Sequence, residues 1–145
     1  MAQAIIDDAQ LGGQIVAVVS DRADALVLER ARSSDIPTHV IEMKSDRKIW
    51  DKEIFDCVNN LKPDLVISAG FMRILSPDFV ETFPTINSHP ALLPLFPGAH
   101  AVRDALAAGV SETGTTIHWV DQGIDTGEII TQARVSILPG DHAVS

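Results

Sequence analysis

Gln14-Ile-Val-Ala-Val-Val-Ser20 is a run of β-branched and small apolar residues with no polar alternation. Such a run suits a strand covered on both faces, as inside a parallel sheet. Before it, residues 2–9 read as the tail of a helix closed by Gly12-Gly13. After it, helical spacing over residues 23–32 is broken by Pro37, and residues 38–43 form a second strand. A longer helix over residues 46–61 ends before Pro63, and Asp64-Leu-Val-Ile-Ser-Ala69 is a third strand. Ser76-Pro77 reads as an N-cap and a first-turn proline, opening a helix over residues 78–82. Residues 85–88 form a short strand, residues 101–108 a helix stopped by Gly109, and residues 115–120 and 128–137 the last two strands. This alternation predicts one α/β domain over residues 1–145, an open, mostly parallel sheet with helices on both faces.

The 145 residues are 46% hydrophobic, enough to bury a real core. A net charge of −9 argues against nucleic acid as the main partner. No apolar run is long enough to span a membrane and no signal-peptide pattern opens the chain, so no membrane partner is expected. Cys57 is the single cysteine, which allows no internal disulfide and fits a reducing cytoplasm. No His, Asp or Glu spacing suggests a metal site.

In open α/β sheets the active site lies beyond the carboxyl ends of the strands. Residues 69–71, 88–90 and 120–121 occupy such ends. Thr85-Ile-Asn-Ser-His-Pro-Ala-Leu-Leu-Pro94 carries Asn87 and His89 two positions apart, hence on the same side of a strand, with Pro90 fixing the backbone after them. Gly123-Ile-Asp-Thr-Gly127 presents Asp125 between glycines that allow close approach. An amide donor, an imidazole and a carboxylate suit acyl transfer, which needs donors aimed at a developing oxyanion and a group that moves protons. The plainer readings are a capped surface histidine and an ordinary turn aspartate. His39, His100, His118 and His142 have no comparable partner nearby in sequence; His118, on an alternating strand, either supports the site or packs. Ser88 lacks the Gly-x-Ser-x-Gly elbow of a hydrolase nucleophile.

Gly70-Phe-Met-Arg-Ile-Leu-Ser-Pro77, Asn87-Ser-His-Pro-Ala-Leu-Leu-Pro94, Phe96-Pro-Gly98 and His118-Trp-Val-Asp-Gln-Gly-Ile-Asp-Thr-Gly127 together resemble the folate-dependent formyltransferases. The resemblance runs over residues 2–141 in the family's order. It implies a Rossmann-like formyltransferase fold and transfer of a formyl group from 10-formyltetrahydrofolate to the amine of phosphoribosylglycinamide, in de novo purine (IMP) biosynthesis. The implied partners are these small molecules, with no metal. Through the family, Asn87 and His89 would bind the formyl oxygen as it becomes an oxyanion, His89 would donate a proton, and Asp125 would favour the imidazolium. The folate site would comprise Arg47, Met72, Arg73, Ile74, Leu75, Asn87, Asp121, Gln122, Gly123, Ile124 and Asp125. Arg47 equally fits a helix-surface charge.

Members of that family open with a buried strand and a Gly-Ser-Asn-like loop whose backbone amides hold the substrate phosphate. Here Met1 leads directly into the helix that follows that loop, and the chain stops before the family's final helical segment. The expectation is therefore a chain lacking the family's first strand and C-terminal segment, with the strands at 14–20 and 64–69 each left with an open edge. Two alternatives stay open: a formyltetrahydrofolate hydrolase, with water as acceptor, and a non-catalytic folate-binding remnant.

Overall fold

A computed structural model describes residues 2–143. They fall in two compact units that divide between Asp64 and Leu65.

The first unit contains α1 (Ala2–Ile6), β1 (Val18–Ser20), α2 (Leu26–Ser33), β2 (Thr38–Val40) and α3 (Arg47–Leu61). β1 and β2 pair in parallel, Val18 opposite Thr38 and Ser20 opposite Val40. The core side of α3 is Trp50, Ile54 and Val58, a spacing of four that keeps one stripe of the helix inward. Leu28 and Ala31 of α2 are likewise buried. The Asp46 side chain caps α3 by accepting from the Lys48 N–H. At the other end Lys62 turns left-handed (φ 50°) and Pro63 prevents continuation. The fully buried Trp50 satisfies its indole N–H on the Ile41 carbonyl at 2.9 Å.

The second unit contains β3 (Val66–Ser68), α4 (Pro77–Thr82), β4 (Thr85–His89), α5 (Ala101–Ala107), β5 (Glu112–Trp119) and β6 (Ile129–Ser136). Its sheet runs β3-β4-β5-β6. β3 and β4 are parallel, joined through α4; β4–β5 and β5–β6 are antiparallel. Ser76 accepts from the Phe79 N–H and Pro77 opens α4, as their order in sequence predicts. Phe79 and Phe83 are buried and meet edge to face at 4.9 Å between centroids.

The α/β class and the parallel β1–β2 and β3–β4 ladders match the expectation. The ladders are shorter than the apolar runs. β1 pairs only from Val18, and Val16 is 41% exposed. β3 pairs only over Val66–Ser68, with β4 its one ladder partner among the described residues. A strand is delimited by its hydrogen-bonded neighbours, so a run paired along one edge is assigned only where that pairing holds. β5 and β6 depart from the parallel pattern because the loop between them is too short for a crossover and returns the chain as a hairpin.

Candidate active site

β4 places Asn87 and His89 on one face, and its antiparallel register sets Asn87 opposite His118 and His89 opposite Thr116. On β5, Gly114, Thr116 and His118 are buried while the residues between them are not, the period of two that the sequence shows. Two histidines and an asparagine thus share one largely dry surface, His89 being 4% and His118 2% exposed.

His89 is held by both ring nitrogens. Nε2 lies 2.8 Å from the Phe96 carbonyl, which only accepts, so Nε2–H is the donor. Nδ1 lies 3.3 Å from Asp125 Oδ2. Both ring nitrogens thus face oxygen acceptors. The same Asp125 Oδ2 accepts from the Gly98 N–H at 2.7 Å. Phe96 and Gly98 both have positive φ, 52° and 87°, so the turn between them aims a carbonyl at the imidazole and an amide at the carboxylate.

His118 donates through Nδ1 to the Trp119 carbonyl at 2.8 Å. Its Nε2 lies 3.3 Å from Asn87 Nδ2. Asp125 Oδ1 is 3.5 Å from the same nitrogen. Asn87, His118, Asp125 and His89 therefore form one continuous polar chain.

The loop carrying Asp125 is pinned by its own side chains. Asp121 Oδ1 accepts from the Gly123 N–H at 2.9 Å and from the Thr126 hydroxyl at 2.7 Å. The Thr126 hydroxyl, ahead of the Gly123 amide, holds the Asp121 carboxyl below its ordinary range. Gln122 donates to Glu81 of α4 at 2.6 Å. Asp125 itself is left-handed (φ 54°), a conformation that aspartate tolerates better than most residues. Gly127 is required by contact, since a Cβ there would lie 1.7 Å from the Trp119 carbonyl oxygen.

Asn87, His89 and Asp125 are thus brought together, directly or through His118. Met72, Arg73 and Ile74 are exposed on the loop after β3 and Leu75 is half-buried. Gln122, Gly123 and Ile124 are exposed on the Asp125 loop. Arg47 belongs to the first unit, where its Nε bonds Asp51 at 2.7 Å and its guanidinium lies 5.0 Å from the Trp50 ring centroid. Sequence reasoning missed the Phe96 carbonyl and the Gly98 amide and left His118 undecided. Alternation along β5 put His118 on the buried face, but only the β4–β5 register supplies its partners. Among the described residues no group of three or more His, Cys, Asp or Glu is placed to hold a metal ion, and no helix is long and apolar enough to cross a membrane.

Comparison with known proteins puts this geometry in a family context. The formyl transferase family profile matches residues 1–145. The chain is 46% identical over 141 residues to phosphoribosylglycinamide formyltransferase of Mycobacterium tuberculosis (strain ATCC 25618 / H37Rv), covering 92% of this chain and 65% of that protein. It is 47% identical over 146 residues to the trifunctional purine biosynthetic protein adenosine-3 of Drosophila pseudoobscura pseudoobscura, covering 97% of this chain and 11% of that protein. The crystal structure of glycinamide ribonucleotide transformylase 1 from Symbiobacterium toebii superposes with a TM-score of 0.91 at 40% identity, covering 97% of this chain and 69% of that one.

Proposed function

The chain belongs to the formyl transferase family, and we propose that it moves a formyl group from 10-formyltetrahydrofolate to the amine of phosphoribosylglycinamide, a step of de novo purine (IMP) biosynthesis. Relatives named for that activity, each longer than this chain, support the reading. The observation that carries it is His89, buried between the Phe96 carbonyl and the Asp125 carboxylate and on the same strand face as Asn87.

In this reading residues 1–145 act as the catalytic domain. The substrate amine attacks the formyl carbon, and negative charge grows on the formyl oxygen. Asn87 donates to that oxygen, where fixed donors in a dry site contribute most, and His89 joins it by turning its Nε2–H from the Phe96 carbonyl to the substrate. Asp125 balances the imidazolium while a proton passes to the departing folate nitrogen. The folate binds along Met72, Arg73, Ile74 and Leu75 and under the loop of Asp121, Gln122, Gly123, Ile124 and Asp125. The partners are small molecules and the setting is the cytoplasm.

A formyl-transfer assay beside calorimetry with a folate analogue tests this. Formylated product is the expected result. Folate binding without turnover would make the chain a binding remnant, and formate release without acceptor would make it a hydrolase.

A further inference from the structure

We infer that Gln132, on the edge strand β6, is a positioning residue for the His89–Asp125 pair, acting through the segment that joins β4 to the Phe96–Gly98 turn. The inference rests on the proposed formyl-transfer site. Gln132 stands opposite Thr116 in the β5–β6 ladder. Its amide Nε2 donates to the Leu93 carbonyl at 2.9 Å and to Thr116 Oγ1 at 3.0 Å. Thr116, fully buried, donates through Oγ1 to the Ala91 carbonyl at 2.6 Å and accepts from the Leu93 N–H at 3.0 Å. One glutamine and one threonine therefore satisfy three backbone polar groups of residues 91–93.

That segment has little other freedom. Leu92 packs so closely on β5 that a Cβ at Gly114 would lie 2.7 Å from its Cδ2. A few residues on, the chain delivers the Phe96 carbonyl to His89 Nε2 and the Gly98 N–H to Asp125 Oδ2. The imidazole and carboxylate are each held by backbone atoms whose placement starts from the Gln132–Thr116 clamp. Without the Gln132 donors, the Leu93 carbonyl loses a side-chain partner and the turn loses part of its anchor. Pre-organised sites depend on such supports, and small misplacements are felt strongly in turnover.

The test compares Gln132→Met, close in shape but without donors, with Gln132→Lys, which keeps a donor on a long stem. Steady-state kinetics, the pH profile of kcat and the ring-proton NMR signal of His89 are read in each. Gln132→Met should lower kcat roughly tenfold or more, with folate KM little changed, alter the pH profile, and speed solvent exchange of the His89 Nε2 proton. Gln132→Lys should recover most of each. Unchanged kcat and exchange in a folded Gln132→Met variant would overturn the inference, as would equal losses in both variants. The NMR readout needs no turnover. If the unsubstituted chain transfers no formyl group, the functional reading fails while the coupling of Gln132 to His89 is still measured.

Discussion

Replacing Asp125 by Asn separates charge from shape at the centre of the site. Asp125 Oδ2 accepts the Gly98 N–H at 2.7 Å and faces His89 Nδ1 at 3.3 Å; Oδ1 lies 3.5 Å from His118 Nε2. An asparagine with its oxygen toward Gly98 keeps that bond and turns its NH2 toward His118 Nε2. The backbone contacts thus survive, and the melting temperature should change little. What disappears is the negative charge beside His89. A hydrogen bond to a charged group is worth about 1.5–3 kcal/mol net. At about 1.36 kcal/mol per decade, kcat should fall roughly tenfold to two-hundredfold. The loss belongs to kcat, with folate KM nearly constant, because the carboxylate acts on charge that develops during reaction. Steady-state kinetics with both substrates varied, beside a thermal melt, measure it. A kcat within about twofold of the parent, or a loss confined to KM, would refute the role given to Asp125.

Gly127→Ala should destabilise the chain by about 1–3 kcal/mol, since its Cβ would meet the Trp119 carbonyl oxygen at 1.7 Å; an unchanged melting temperature would contradict this. The Asp121 carboxyl is held low by the Thr126 hydroxyl, so its contribution to loop order is full above the ordinary carboxylate range and fades as pH falls through the lowered folded value. Hydrogen exchange at the Gly123 amide should therefore show protection at neutral pH and lose it only in acid, and loss already near neutrality would count against the Asp121 latch. Burial pushes the Cys57 thiol up, leaving less thiolate at neutral pH than a free cysteine has. A disulfide reagent should react more slowly with it than with glutathione, and a faster reaction would show a different environment.

The order of helices and strands was legible because each depends on neighbours in sequence. Ser76-Pro77 supplies a helix N-cap and first-turn proline, Pro63 and Gly109 punctuate helix ends, and the β-branched run ending at Ser20 suits a strand. Asn87, His89 and Asp125 could be singled out for the same reason: spacing of two on a strand and flanking glycines are local facts. Where β1 and β3 begin was not legible, because a ladder's length is set by the partner strand. Neither was the grip on His89. The Phe96 carbonyl and Gly98 amide are backbone groups that every sequence possesses, and only two left-handed residues in the folded turn aim them. His118 stays undecided between supporting the site and packing, and Gln132 carries no signal, until register sets one opposite Asn87 and the other opposite Thr116. Sequence by itself determined which side chains this protein brings to a strand end; tertiary structure decided which of them meet, because pairing across a sheet joins positions that no local pattern relates.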